Sequence, residues 1–251
     1  MRRVVITGLG AVTSVGNNVA DTWDAIKNGK SGVGPITLFD TSEHLVKIAA
    51  EVKNFSLDSY GVDHKLSRKM SRFGKFLLGA SIEAVNDSGY DQSSIGKENV
   101  GITTGIGIGF SDSLENAYSK YQDSNGGVNR IPPLTAPLVL NNEAAASVAM
   151  YYQIHGPAWT ISTACASGTD SIGLGLDLIR SGRLDMCISG GVDANITGFN
   201  IGCYQSLSAL TSQYNDSPEK ASRPFDKDRS GFVMAEGAAV LILDEYEHAK
   251  A

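Results

Sequence analysis

Short apolar segments alternate with longer amphipathic segments along the whole chain. The apolar segments have the composition of strands and cover residues 3–9, 100–104, 158–161, 186–189, 232–235 and 238–243. The amphipathic segments have the spacing of helices and cover residues 19–27, 67–88, 111–121, 138–152, 166–181 and 198–206. This alternation predicts an α/β fold with a mainly parallel sheet. The last two strands, joined by Glu236 and Gly237, are predicted to form a hairpin.

Composition narrows the class of protein further. With 251 residues, of which 42% are hydrophobic and 19% charged, the chain can bury one substantial core. Arg2 and Arg3 lead into an apolar segment that is too short for a signal peptide, and no apolar run approaches the ~18 residues of a membrane span. We therefore expect a cytoplasmic protein that does not enter membranes. The net charge of -6 argues against a general nucleic-acid binder, because neutralising phosphates requires a basic surface.

The cysteines and the glycine clusters argue against two kinds of site. Cys165, Cys187 and Cys203 lie too far apart in the sequence for a disulfide framework or a zinc site. Gly8-Leu-Gly10 and Gly105-Ile-Gly107 each follow a strand, but threonine or phenylalanine occupies the third glycine position of a dinucleotide fingerprint. We expect neither a metal site nor a nucleotide site.

Cys165 stands where the predicted strand 158–161 meets the predicted helix 166–181. The free N–H groups and the positive dipole end of that helix would point at the sulfur and favour the thiolate. The neighbouring residues 164 and 166–168 are alanine, alanine, serine and glycine, which keep bulk away from the sulfur. Position alone leaves two interpretations open. Cys165 is either a nucleophile or a buried structural cysteine, the commonest fate of a free thiol.

A basic segment precedes and enters the predicted helix 67–88. Its cations fall at spacings of three and four, so they are predicted to share one side of a helix, and they are Lys65, Arg68, Lys69 and Arg72. The other side is apolar and predicted to be buried, with Met70, Phe73, Leu77 and Ala80. Without further evidence, such a basic side is interpreted as the solvent-exposed face of an ordinary helix.

Several longer motifs follow one another from one end of the chain to the other. They are Val4-Val-Ile-Thr-Gly-Leu-Gly10, Val15-Gly16, Gly105-Ile-Gly-Ile-Gly109, Gly156-Pro157, Thr163-Ala-Cys-Ala-Ser-Gly168, Gly190-Gly191, Ser222-Arg-Pro-Phe-Asp-Lys-Asp-Arg-Ser-Gly-Phe-Val233, Ala235-Glu-Gly-Ala238 and Glu245-Tyr-Glu-His-Ala249. In this order they resemble the β-ketoacyl synthases, the condensing enzymes of fatty-acid and polyketide synthesis. The resemblance is closest to the elongating type that depends on a carrier protein.

The resemblance implies a thiolase-like layered α/β fold, here its N-terminal half, with a mainly parallel five-stranded sheet and helices on both faces. It also implies that Cys165 is the catalytic nucleophile and takes an acyl group from an acyl carrier protein thioester. A malonyl carrier protein then loses carbon dioxide, and its carbanion attacks the acyl-cysteine to give a β-ketoacyl product longer by two carbons. This reaction needs no metal or organic cofactor.

The same resemblance assigns roles to four further residues and to one strand. Lys65, Arg68 and Lys69 correspond to basic residues that receive the acidic acyl carrier protein. Ile108 matches a position at the far end of the acyl pocket, where a β-branched residue would cap a medium to long chain; simple core packing is the alternative. The strand 158–161 pairs across a two-fold axis in the family, so we expect a homodimer.

Family members continue into a second half of similar fold, which carries two catalytic histidines, a lysine and a glycine-phenylalanine loop. This chain has His44, His64, His155 and His248, of which only His155 lies near Cys165 in sequence, and we expect it in a surface loop. We therefore expect residues 1–251 to be an N-terminal domain or a split gene product without the C-terminal half. Alone, it is expected to condense nothing and to self-associate through an exposed apolar face.

Two other interpretations remain open. Polyketide systems contain non-catalytic partners, or scaffolds, that pair with an active condensing subunit, but these typically lack the cysteine that this chain keeps at position 165. Thiolases and starter-unit synthases also use a cysteine at a helix N-terminus. The segment from Arg223 to Val233 favours the elongating branch over both of them.

Overall fold

A computed structural model describes residues 1–93, 95 and 99–251. In chain order, the strands within this range are β1 (Val4–Val12), β2 (Gly34–Pro35), β3 (Ile48–Ala49), β4 (Val100–Gly105), β5 (Ala158–Ile161), β6 (Met186–Asp193) and β7 (Gly237–Glu245). Five of them form the main sheet in the order β1-β7-β6-β4-β5. β2 and β3 pair separately as a small antiparallel ribbon.

The helices in the same range are α1 (Val19–Lys27), α2 (His64–Ser67), α3 (Arg72–Asp87), α4 (Ser111–Asp123), α5 (Thr135–Leu138), α6 (Glu143–Tyr152), α7 (Ser167–Arg180) and α8 (Gly198–Ser206). The predicted bounds of α1 and α8 are confirmed, and those of α4 and α7 are correct to within two residues. None of the helices among the described residues is long and apolar enough to cross a membrane.

The sheet is mixed but mainly parallel, as predicted, because β1, β4, β5 and β6 run in one direction and β7 runs against them. β4 runs parallel to both of its neighbours, β5 and β6. β7 runs antiparallel to both of its neighbours, β1 and β6. The α/β class itself is confirmed.

The predicted hairpin between residues 232–235 and 238–243 does not form. The backbone of the first segment bonds elsewhere, since Thr211 N donates to the Phe232 oxygen at 3.1 Å and Ala50 N donates to the Met234 oxygen at 2.8 Å. Both sides of β7 are also taken, by β1 and β6. A strand inside a sheet has no free edge for a hairpin partner, so β7 enters the sheet alone.

Helices cover both faces of the sheet, as predicted, and β7 shows the division. Ile242 of β7 packs in one core cluster with Leu77 of α3. Its neighbour Leu243 packs in another cluster with Ile179 of α7. Because successive side chains of a strand point to opposite faces, α3 and α7 lie on opposite sides of the sheet.

The predicted helix 67–88 is divided in two. α2 ends at Ser67, and α3 begins at Arg72 with Ser71 as its N-cap. The Ser71 hydroxyl accepts from Gly74 N at 3.0 Å, which satisfies one free donor of the first turn. The apolar side predicted for this segment is confirmed, since all of its members are buried, namely Met70, Phe73, Leu77 and Ala80. The predicted helix 138–152 is likewise divided between α5 and α6.

Glycines allow α3 to contact β1 directly. A Cβ atom at Gly10 would lie 1.8 Å from the Ala80 oxygen, and one at Gly8 would lie 2.0 Å from the Ala84 oxygen. Both contacts are with the backbone of the helix, so no side-chain rotation can relieve them. β1 and α3 must separate to accept any larger residue.

Gly10→Ala is expected to lower the free energy of unfolding by about 3 kcal/mol, because α3 has to move off the sheet. Gly173→Ala in α7 is the control. An added Cβ at Gly173 meets nothing within 4 Å, so the better helix former should raise stability by up to about 1 kcal/mol. Urea unfolding followed by circular dichroism measures both changes, and similar effects of the two substitutions would contradict the close contact.

Candidate active site

Cys165 lies in a tight turn between β5 and α7, with its side chain exposed. The preceding residue, Ala164, has a φ of 55°, in the left-handed region that costs a non-glycine residue on the order of 1 kcal/mol. The Ser167 hydroxyl closes this turn, accepting from Thr163 N at 2.9 Å and donating to the Ala164 oxygen at 2.6 Å. The first residue of α7 therefore holds the strained turn that presents Cys165.

Glycines let the first turn of α7 lie directly on the sheet. A Cβ atom at Gly105, the last residue of β4, would lie 2.2 Å from the Ser167 carbonyl oxygen. A Cβ atom at Gly191 of β6 would lie 3.1 Å from the Cα of Gly168. Because no side chain separates the helix from the two strands, the position of the helix N-terminus is set by backbone contact.

The Cys165 sulfur faces a cleft of about 380 Å³ that is open to solvent. The walls of this cleft are strand ends, with Gly105 from β4, Asp193 from β6, and Gly237 and Ala238 from β7. The thiol is therefore accessible from solvent.

Ile108 lines a separate cavity of about 470 Å³. Its neighbours there are mainly aromatic and aliphatic, and they include Phe110, Leu114, Tyr118 and Phe199. An apolar cavity of this size suits a hydrocarbon chain. The role of Ile108 as the cap of an acyl pocket remains a prediction.

The turn that carries Ile108 wraps around Asp193, a residue for which the sequence pattern offers no assignment. Gly107 N donates to Oδ2 of Asp193 at 3.0 Å, and the N–H groups of Ile108 and Gly109 donate to Oδ1 at 3.1 and 3.0 Å. Successive N–H groups of this kind form an anion-binding nest. Here the anion is the protein's own carboxylate, so this glycine cluster is not a phosphate loop. The sequence signal that could have identified Asp193 is its position as an acidic residue shortly after Gly190-Gly191, at the end of a predicted strand.

The basic residues do not form one helical side. Lys65 lies in α2, and Arg68 and Lys69 follow it before α3 begins, all three with exposed side chains. Arg72 lies apart from them because its guanidinium pairs with the buried carboxylate of Glu236, with Nε donating to Oε2 at 2.8 Å. The prediction that all four cations share one solvated side is therefore wrong for Arg72.

The pair of Arg72 and Glu236 ties the basic segment to the Cys165 end of the sheet. Glu236 immediately precedes Gly237, the first residue of β7, and Gly237 lines the Cys165 cleft. Lys69 lies three residues before Arg72 in sequence. Arg72, at the end of the basic segment, therefore lies at the same end of the sheet as the cleft.

The four histidines lie away from the nucleophile. Within the part of the chain that the structure describes, none of them lines the Cys165 cleft. His155 is exposed in the loop after α6, as predicted. His44 Nε2 contacts a backbone oxygen of α8 at 3.0 Å, and His248 contacts the Asp244 carboxylate at 2.7 Å.

Together, the fold and the site define a layered α/β domain that presents a cysteine at a helix N-terminus above the ends of its strands. The chain belongs to the β-ketoacyl synthase family. It matches the N-terminal domain of that family over residues 1–249.

Two similar proteins are both named 3-oxoacyl-[acyl-carrier-protein] synthase 2. The chain is 41% identical over 249 residues to the one from Coxiella burnetii, and 39% identical over 250 residues to the one from Synechocystis sp.. These alignments cover 99% and 100% of this chain and 59% of each relative. The chain thus spans somewhat more than half the length of the curated relatives it matches.

Solved ketosynthases have the same fold as this chain. The ishigamide ketosynthase/chain length factor superposes with a TM-score of 0.90 at 32% identity, covering 99% of this chain and 60% of that one. A chain from the solved complex of a type II PKS acyl-carrier protein with its ketosynthase superposes with a TM-score of 0.85 at 30% identity. This superposition covers 99% of the present chain and 59% of the other. The predicted thiolase-like ketosynthase fold is confirmed.

Limiting iodoacetamide is expected to label Cys165 faster than Cys187 or Cys203. Burial raises the pKa of the Cys187 thiol to about 11, so that thiol stays protonated near neutral pH and its sulfur is shielded from reagent. Cys203 is exposed but lies inside α8, away from a helix N-terminus. Peptide mapping after partial alkylation gives the three rates, and equal labelling would contradict a tuned nucleophile at Cys165.

Proposed function

We propose that this chain is the nucleophile-bearing domain of a 3-oxoacyl-[acyl-carrier-protein] synthase, and that Cys165 is the residue that becomes acylated. The observation that carries the proposal is the exposed thiol at the N-terminus of α7, facing an open cleft. A buried structural cysteine would have neither the exposure nor the strained turn. Cys187 shows that contrast within the same chain, because it is fully buried in β6.

The first step is acyl transfer to sulfur. The Cys165 thiolate attacks the carbonyl carbon of an acyl carrier protein thioester, a new carbon–sulfur bond forms, and the carrier thiolate leaves. Negative charge develops on the carbonyl oxygen during this step. We expect the Cys165 N–H and the positive end of α7 to stabilise that charge.

The second step, which we expect the isolated domain not to complete by itself, is decarboxylative condensation. A malonyl carrier protein loses carbon dioxide, and the electron pair left on carbon attacks the carbonyl of acyl-Cys165. The bond to sulfur breaks, Cys165 returns as thiolate, and the product is a β-ketoacyl carrier protein longer by two carbons. We expect the acyl chain to enter the apolar cavity that Ile108 lines.

The carrier protein docks on Lys65, Arg68 and Lys69. Support comes from their exposure and from Lys69 lying three residues before Arg72, whose partner Glu236 immediately precedes Gly237 of the Cys165 cleft. An acidic partner would be attracted there by charge, which mainly increases the rate of association. Among the structures similar to this chain is a ketosynthase in complex with its acyl-carrier protein.

The protein acts as a homodimer in the cytoplasm. Support for the dimer comes from β5, which lies at one edge of the main sheet and so can pair along its outer side with a second copy. Pairing there would cover Trp159, which is 38% exposed on this edge strand. The location is supported by composition and by similarity to the two bacterial synthases.

Incubating the chain with acyl carrier protein thioesters of graded length is expected to add the mass of a single acyl group, because one thiol combines exposure with a helix N-terminus. Intact-mass spectrometry measures the adduct. Cys165→Ser is the matched control and should gain none. If the wild-type chain stays unmodified with every thioester, the proposal fails and a non-catalytic partner of a condensing enzyme becomes the better interpretation.

Reversing two charges of the basic surface, with Lys65→Glu and Lys69→Glu, should weaken carrier-protein binding by about tenfold and flatten its dependence on salt. The control pair is Arg180→Glu and Lys250→Glu, which makes the same charge change at the last residue of α7 and in the segment after β7. Titration at low and high salt measures the affinities. Equal loss from both pairs would point to net charge instead of a docking surface.

A further inference from the structure

The carboxylate of Asp193 links the Cys165 cleft to the apolar cavity at Ile108. Through its three backbone donors it holds the Gly107–Gly109 turn, and Ile108, at the middle of that turn, lines the apolar cavity. Asp193 itself lines the Cys165 cleft. One side chain therefore connects the place where the thioester carbonyl would react with the wall against which the acyl chain would end.

The glycines on both sides of Ile108 permit this arrangement. A Cβ atom at Gly107 would lie 3.0 Å from Oδ2 of Asp193 and would crowd the carboxylate. Gly109 has a φ of 73°, which favours glycine, and a Cβ there would lie 2.7 Å from the Ile106 side chain. The turn is thus shaped for a close approach to Asp193, and Ile108 has little freedom while the carboxylate is in place.

Asp193 is in turn held in place. Asn195 donates from Nδ2 to Oδ1 of Asp193 at 2.7 Å. Asn200, which also lines the apolar cavity, donates from Nδ2 to the backbone oxygen of Asn195 at 3.3 Å. The carboxylate accepts four hydrogen bonds in all, so its two oxygens have defined positions.

We propose that Asp193 is a positioning residue that sets the acyl-chain length the site accepts, by fixing Ile108 through the backbone of residues 107–109. This inference rests on the proposed function, because it assumes that the cavity at Ile108 receives the chain carried by Cys165. A carboxamide at position 193 cannot replace the carboxylate. Its NH₂ group would face at least one backbone N–H, so the turn would lose at least one of the three hydrogen bonds that hold it.

The test compares acylation of Cys165 by hexanoyl and dodecanoyl N-acetylcysteamine thioesters in the 251-residue chain, with rates followed by intact mass. Asp193→Asn is expected to raise the ratio of the dodecanoyl rate to the hexanoyl rate by about fivefold, since a released Ile108 excludes the longer chain less well. The rate of iodoacetamide labelling at Cys165, measured alongside, separates a change in thiol reactivity, which would alter both acylation rates by the same factor, from a change in chain-length selection. An unchanged or lower ratio overturns the inference.

Ile108→Ala provides the double-mutant cycle. If Asp193 acts through Ile108, Asp193→Asn should change the ratio no further in the Ile108→Ala background, whereas additive effects overturn the inference. If Asp193→Asn does not fold, Asn195→Ala is used instead, because it removes one of the four hydrogen-bond donors to Asp193. It should shift the ratio of the two rates in the same direction by a smaller factor. Failure of the wild-type chain to be acylated by either thioester contradicts the proposed function instead.

Discussion

Direct backbone contact between α7 and the ends of β4 and β6 is the constraint on which the site depends. At Gly105 even one methyl group would overlap the carbonyl of Ser167, and a Cβ atom at Gly191 would lie 3.1 Å from the Cα of Gly168. A helix spaced from a sheet by side chains can slide to accommodate substitutions, but one that rests on glycines has a single position. The strained turn at Ala164 persists because both of its flanking elements are held in this way.

Two carboxylates at the same end of the sheet organise segments that are distant in sequence. Asp193 gathers the turn before α4 through backbone N–H groups. Glu236 holds Arg72 and also accepts from Val52 N at 2.9 Å, which joins the start of α3 and the segment after β3 to the start of β7. Glu236 is buried, and a charge removed from water in this way requires such partners. Loops that carry no regular structure of their own are thereby ordered around the cleft.

Local patterns predicted most of the elements but not how they are divided or paired. α1 and α8 begin and end where periodicity and capping residues place them, since both depend on signals within one turn of chain. The segment 67–88 has continuous helical spacing, yet its middle is broken because Ser71 caps a new helix there. The segment 232–235 has the composition of a strand, but its backbone groups bond to residues near 50 and 210. Which distant segments compete for a strand's backbone groups cannot be determined from a short stretch of sequence.

The sequence by itself determined the α/β class, the family, the buried side of α3 and the place of Cys165 between a strand and a helix, because each of these follows from neighbouring residues or from motifs in order. Only the tertiary structure decided the mixed direction of the sheet, the separation of Arg72 from the other cations, and the part played by Asp193. These depend on which groups, far apart in the chain, come within hydrogen-bonding distance. A carboxylate looks the same in sequence whether it meets water, a guanidinium or a ring of backbone N–H groups, and packing alone selects among them.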